Sequence, residues 1–581
     1  MTKSPALGYP PSETMQAIRN SLNQPQSLIS SCPNDWTERG PGNVGGRTRA
    51  IMFDPNDGGN GFKKVWACGV AGGLWYRDDI TVASSSNPWT HVSDFWDNLA
   101  ITALTFDPNN IQNFYVGTGE GWFNSDAVRG GGIWFSDQAG NAGTWNQIPW
   151  SDPSDATYGG DFLYIQKIVV YNGYAYVATL SGLWQFPVPA NSVPTKVLGA
   201  GTGYGIDRIA DIEIGASGNL FVSTGIRSTD GIYRRPSSTV GAGGWTKLNV
   251  GGSGLPTINF QRIELACAAS NSQIAYAMVE TTAPLDVKIY KTSNANATIP
   301  FWTQCGVPTW HNDEIPTTQS CVPVASDISR GHAFYDLIIQ VDPLDENNVY
   351  MGAIDLFRST NGGTIWNQIS EWTRPGSGYN CGLPYVHADQ HNIQFRPGQT
   401  GASSNQILFS NDGGVYYTTN GGTGFLEENY NYNVTQLYSC ALNPAGSVVG
   451  ANPNNFLAGT QDNGSQWFNA AGIDFSTDMV NGGDGALCFI DQEQPDYQIV
   501  SYLLDNFYRS SNGTTTHTFG TMYWNDFHDN VGCNLVNGYN TLWIDPADYD
   551  TRNNTLFFGS GLGDGSPCGL CLLDVGYSDD V

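Results

Sequence analysis

Positive charge is scarce in this chain. Its 581 residues carry 25 Lys and Arg against 53 Asp and Glu, a formal net charge of −28, yet charged residues of both signs make up only 13% of it. The acidity therefore reflects missing cations, not acidic blocks. So acidic a chain, with no basic stripe, repels phosphate, which excludes nucleic acid as a partner. Long apolar runs are also missing: no window approaches the roughly 18 apolar residues of a membrane-crossing helix, so no membrane insertion is expected. The opening MTKSPALGYPPSETMQ lacks the apolar core of a secretory leader, so either a leader has been removed or the chain stays inside. The lysine-poor, Asn/Thr/Gly-rich composition favours the first reading and a place outside the cell.

What is present is turn-forming and aromatic. Gly 70, Trp 18 and Tyr 28, with Asn-rich connections, describe an all-β chain of short strands and tight turns. The clearest repeating unit runs from Asp336 to Trp372, with four strand-like stretches, DLIIQV, NVYMGAI, DLFRS and TIWNQIS. The hairpin STNGGTIW, Ser359 to Trp366, fits the Asp-box pattern S-x-D-x-G-x-T-W with Asn361 in the aspartate place and Ile365 in the threonine place. The Asx side chain ties down the turn, the glycines take positive φ, and the tryptophan fills the gap between neighbouring sheets. Four short strands in about 40 residues make one propeller blade.

Such units recur from Trp36 onward, including RTRAIMF/KKVWACGV/GLWYRDD/PWTHV and ITALTFDPNN/NFYVGTGEG/GGIWFSDQAG. The third copy has a degenerate last strand. The expectation is a β-propeller of four-stranded blades, about nine or ten in number, over 34–581. Its last blade is incomplete, and the N-terminal WTERG segment is placed to complete it. Residues 1–33 read as a separate extension, a short helix capped by Ser12 and then a Gln/Ser/Pro-rich tether.

The cysteines number 11, at scattered spacings. Cys305 and Cys321 flank one loop and are candidates for a disulfide in an oxidising compartment. Cys68, Cys267, Cys440 and Cys488 lie in strand-like runs and read as small core residues. Cys568 and Cys571 form CGLC, a redox or zinc half-site with no second pair beside it.

The stretches GPGNVGGRTRAIMFDPND, WACGVAGGLWYRDD, YVGTGEGW, YVHADQH, FSNDGGVYYT and GTQDNGSQ together resemble secreted Asp-box propellers of the sortilin-like and xyloglucanase-like superfamily. The resemblance spans roughly residues 34 to 560 and extends to large proteins that Bacteroidota export by type IX secretion. It implies a cell-surface or secreted protein. Proteins of that type end in a sorting module with no counterpart here, which implies a processed, truncated or divergent member. The resemblance also implies two catalytic aspartates for a xyloglucanase. At the first position this sequence has Val70, within Ala67–Gly73, and at the second Thr102, within Thr102–Pro108. Neither side chain is a carboxylic acid, and an inverting glycosidase needs two carboxyls across roughly 6.5–9.5 Å.

Other residues are candidates on their own chemistry. Glu120, Trp122, Asp126 and Arg129 share a long loop, where an indole offers a sugar a stacking face and Glu120 or Asp126 pairs with Arg129. His387, Asp389 and His391 follow a period of two, which on a strand projects all three from one face, as substrate contacts, metal ligands or polar groups facing a central channel. Asp211 and Glu213 are the best carboxylate pair for acid–base work. Asp462, Asn463 and Asp484 sit in Asp/Asn/Gly-rich loops, where calcium is the one cofactor considered. The leading expectation is a non-catalytic binding or adhesion propeller for glycan or an extracellular protein. The alternatives are a glycoside hydrolase with a rearranged carboxylate pair and a subunit of an extracellular assembly with self-association.

Overall fold

The structure is a computed structural model. It describes residues 38–574 apart from 94–95, 97, 125–126, 190–191, 312–320, 376–379, 446–451, 470–475, 504–505, 514–518, 522–543, 545–546, 554 and 562–566. The expected extension at 1–33 lies outside the described residues. The chain divides into two compact units, one built on Arg47–Asn429 and the other on Asp35–Gly46 with Tyr430–Val581.

The first unit contains seven four-stranded antiparallel sheets, each a meander of consecutive strands. Their first strands are Thr48–Phe53, Ile101–Asp107, Ile165–Tyr171, Ile209–Ile214, Phe260–Cys267, Ile338–Asp342 and Gln390–Phe395. Each packs beside the first strand of the next sheet, and the seventh packs beside the first, so the unit is a closed seven-bladed β-propeller. The physical cause is readable along each blade. Second strands such as Val65–Gly69 and Ile407–Asn411 are buried throughout, because a neighbouring sheet covers both faces. Fourth strands are often two residues long and polar, as in Asn146–Gln147 and Asn367–Gln368, because they sit at the wet rim.

The core lies between sheets. Trp366 joins Tyr276, Met278, Ile339, Val349 and Phe357 in one cluster shared by the fifth and sixth blades. Its hairpin is held as the turn chemistry requires: the Ser359 hydroxyl donates to Asn361 Oδ1 (2.9 Å), and Asn361 Oδ1 accepts the Ile365 N–H (2.9 Å). Thr418, Asn420 and Gly424 repeat the arrangement in the seventh blade.

No strand is borrowed to close this ring. The seam between the seventh and first blades holds a buried Arg77–Glu428 ion pair, and Trp89 Nε1 donates to the Glu428 carbonyl at 2.5 Å. Residues 38–47, of which 38–40 end the expected WTERG strand, form no strand. In the second unit, Arg39 donates to the Asn454 carbonyl (2.6 Å) and Asn43 Nδ2 to that of Thr477 (2.9 Å). That unit contains two four-stranded sheets and one of three strands, the last made by Ala547–Asp550, Thr555–Gly561 and Pro567–Asp574. The CGLC motif falls on the last of these strands.

Three local expectations change. The third blade's last strand is complete, Thr195–Leu198, although it lacks a tryptophan signal. Cys321 pairs with Cys381, not with Cys305; Cys305 packs instead against the core shared by the fifth and sixth blades. Cys440 is exposed, on an inner strand whose burial is only partial, whereas Cys68 and Cys488 are buried as expected.

Candidate functional site in the propeller channel

The channel of the seven-bladed unit is lined by residues that a strict period of two does not find. In six blades the first strand carries a β-bulge near its start. Arg49, Thr102, Gln166, Ala210 and His391 are each skipped in the ladder, and Gln261 and Arg262 together face Glu280. A bulge adds one residue, bends the strand and re-aims that side chain. Repeated around a ring, it delivers one residue per blade to the same level. The sixth blade lacks the bulge, and the segment 331–337 before it contributes instead.

Buried charge collects at this level. Arg47 Nη1 donates to Glu120 Oε2 at 2.8 Å, while Arg49 Nε and Nη2 both donate to Glu120 Oε1 at 3.1 Å. Glu120 is fully buried, and Asn124 Nδ2 also donates to it (2.8 Å). Arg49 Nη1 donates to His391 Nδ1 (2.8 Å), and His391 Nε2 lies 2.6 Å from Asp412 Oδ1. Because arginine only donates, Nδ1 must accept, so the proton sits on Nε2 and points at Asp412. Burial, then the neighbouring Arg49 charge, push the imidazole well below its ordinary pKa. His391 is thus a neutral bridge between a cation and an acid. Tyr335 donates its hydroxyl to Asp412 Oδ1 (3.2 Å), and burial raises the Asp412 carboxyl to about 7.

Trp122 does not face solvent. It is 6% exposed, with the Arg262 guanidinium 3.8 Å and that of Arg49 5.5 Å from its ring centre. Glu120 and Trp122 are therefore buried, Trp122 in a cluster with Ala210, Ile226 and Tyr335, and do not form the expected open sugar-stacking loop. Asp126 lies outside the described residues, and the Arg129 carbonyl accepts from Asn98 Nδ2 (2.7 Å).

The other candidates separate. His387, Asp389 and His391 do not share a strand face, because the strand begins at Gln390 and bulges at His391. His391 joins the Arg49–Asp412 network, His387 packs on Gly413, and Asp389 approaches Asp336 and His332. Asp211 and Glu213 do come together, but on Lys167: its Nζ lies 2.7 Å from Asp211 Oδ1 and 2.6 Å from Glu213 Oε1. Asp211 Oδ2 also accepts the Leu265 N–H (2.9 Å), so this pair stitches three blades. Burial lifts Glu213 to about 6, and it lifts Glu264, which Arg262 holds at 2.7 Å, to about 8. Val70 is fully buried, and the Thr102 hydroxyl donates to the Ile165 carbonyl at 2.6 Å. In the second unit, Asp484 Oδ1 accepts the Asp462 N–H (3.0 Å), which ties the two loops together, and Asn463 Nδ2 donates locally to the Gln461 carbonyl (3.1 Å).

An open pocket of about 390 Å³ lies elsewhere on this propeller, lined by Leu285, Trp310, Ser326, Asp327, Arg330 and Gly331. Arg330 lies 4.2 Å from the Trp310 ring centre and 5.9 Å from that of Trp372, which is 37% exposed. The Cys321–Cys381 bridge clamps the flanking loops together. Buried Glu371 reinforces it, accepting the Cys381 N–H (2.7 Å) and lying 2.8 Å from His311 Nδ1. Since Cys381 is in a disulfide, His311, Glu371 and Cys381 form a structural knot, not a metal centre.

No family model matches the chain, and neither does any curated protein. Solved structures do. An ancestral GH74 enzyme superposes with a TM-score of 0.54 at 13% identity, covering 94% of this chain and 72% of its own. The GH74 xyloglucanase from Xanthomonas campestris gives 0.37 at 14% identity, over 93% of this chain and 88% of its own. PorZ, a surface component of the type-IX secretion system of Porphyromonas gingivalis, gives 0.34 at 13%, over 93% and 67%. At such identities the first likeness speaks to fold alone, and the two lower scores add nothing to it. The chain is a β-propeller protein.

Proposed function

We propose that the chain is an extracellular binding propeller that recognises glycan through the pocket lined by Leu285, Trp310, Asp327 and Arg330, with Trp372 on the far side of Arg330. The observation that carries this reading is the arrangement of Arg330 between two indoles at the edge of an open, mixed-polarity pocket. Sugars present flat C–H faces and hydroxyls together, so an exposed indole beside a guanidinium and the carboxylate of Asp327 suits them. The disulfide-clamped loops hold this surface in place before a ligand arrives, which lowers the ordering cost of binding. The charged groups nearest to an acid–base pair support binding over turnover, since Asp211 and Glu213 are both engaged by Lys167 and Glu120 is engaged by two guanidiniums.

The test is a glycan array followed by titration of the best-bound sugar. Trp372→Ala is expected to weaken that binding about tenfold, the loss of one stacking contact of roughly 1.4 kcal/mol, while Trp122→Phe leaves it unchanged. Equal affinity of Trp372→Ala and wild type would overturn the assignment of the pocket. Binding only to extracellular proteins, with no glycan retained, would overturn the ligand class.

A further inference from the structure

We propose that His332, Asp336 and Asp389 form a divalent-metal site at the channel of the seven-bladed propeller, suited to Mn²⁺ or Zn²⁺. One ligand atom from each of the three lies within 4.8 Å of the other two. Three donors about 2.1 Å from one ion lie roughly 3.4–3.6 Å apart, so side-chain shifts on the order of an ångström bring the three onto it.

The second observation is electrostatic. Asp336 is fully buried, and neither of its carboxylate oxygens has a hydrogen-bond partner; Asp389 Oδ1 has none either. Buried carboxylates are ordinarily paired or hydrogen-bonded, and leaving one unsatisfied costs more than any other kind of polar burial. Here buried Asp336 faces the half-buried Asp389. The nearby Arg262 charge favours the ionised acid but gives it no hydrogen bond: Arg262 gives Nε and Nη2 to Glu264 (2.9 and 2.7 Å) and Nη1 to the Phe334 carbonyl (3.2 Å). Asp389 is also held at φ 63°, in the left-handed region, immediately before the bulged strand. That backbone aims its carboxylate away from the strand face and toward Asp336. His332 is exposed, so an ion has a path from solvent. Two carboxylates with one imidazole suit borderline metals such as Mn²⁺ and Zn²⁺, because imidazole favours zinc and carboxylate favours manganese.

The competing arrangement is a single proton shared by the two carboxyls. The untagged 581-residue chain is stripped with chelator and titrated calorimetrically with Zn²⁺ and with Mn²⁺. Asp336→Asn, Asp389→Asn and His332→Ala are run alongside, and circular dichroism checks that each variant is folded. The expected result is one ion per chain in the wild type, at least tenfold weaker binding in each folded variant, and a metal-dependent rise in melting temperature only in the wild type. His332→Ala alters an exposed side chain and keeps the test valid should a carboxylate variant fail to fold. No saturable uptake, or uptake equal in wild type and His332→Ala, would overturn the site. So would Asp336→Asn melting above a wild type that binds no metal, which is the signature of the shared proton.

Discussion

At the scale of single residues, the channel is governed by what happens when one member of a buried ionic network is removed. Glu120 engages two guanidiniums, and His391 hands the Arg49 interaction on to Asp412. A buried pair contributes little net stability relative to apolar packing, but breaking it strands the surviving charge. Glu120→Ala is therefore expected to destabilise the propeller by about 3–5 kcal/mol, read as a large drop in its melting temperature. An unchanged melting temperature would mean that the guanidiniums find other partners. The residues of this network were only partly legible in the sequence. Glu120, Trp122 and His391 stood out by type, but a loop position suggested exposure where the structure shows burial. Arg49 and Arg262 escaped notice because neither belongs to a motif that marks a site; they stand in the strand runs RTRAIMF and QRIELAC. Comparison of the repeats position by position would have found them, since Arg49, Thr102, Gln166, Ala210, Arg262 and His391 occupy matching bulges.

At the scale of elements, strands were legible and their irregularities were not. The unit from Asp336 to Trp372 folds as read, into Ile338–Asp342, Asp345–Gly352, Leu356–Ser359 and Asn367–Gln368, because its apolar runs and turn residues agree with one another. A bulge leaves no such signature, and it overturns every argument from period two that crosses it, as happened to His387, Asp389 and His391. Cysteine pairing was equally hidden, because it depends on which loops a ring of blades brings side by side. Peptide mapping under non-reducing conditions is expected to recover a Cys321–Cys381 bridge and a free Cys305; a Cys305–Cys321 peptide would contradict the loop arrangement beside the pocket. Lys167→Met is expected to destabilise the propeller by several kcal/mol, because it leaves Asp211 and Glu213 facing each other unpaired. Adding Asp211→Asn and Glu213→Gln should restore most of the loss, and failure of that rescue would assign the lysine a packing role instead.

At the scale of the molecule, repeats announce a propeller but not where one ring closes and another array begins. The nine four-stranded sheets and the three-stranded one among the described residues were legible as about nine or ten blades, whereas their division into seven and three rests on the buried Arg77–Glu428 seam, hundreds of residues apart in sequence. Buried acids also give the first unit a distinctive pH response. Glu264, raised to about 8 by burial, and Asp412, raised to about 7, hold protons in the folded state that the unfolded chain has already lost above about pH 5. Their contribution is fully present at low pH and is lost as pH rises through the folded values. Below about 6.5 the depressed His391 opposes this, because the unfolded chain takes up its proton first. The melting temperature of the first unit, measured in chelator, should therefore fall between pH 6.5 and 8; a flat or rising profile there would contradict the assigned burial.

The proposed function requires that this propeller hold its ligand without cleaving it. The most direct measurement incubates the purified chain with a panel of plant and microbial polysaccharides and follows reducing ends alongside retention on the same insoluble polymers. Retention on at least one polymer with no release of reducing ends is the predicted result. Release of reducing ends that grows with time and enzyme concentration would contradict the claim and place a hydrolytic carboxylate pair in this fold.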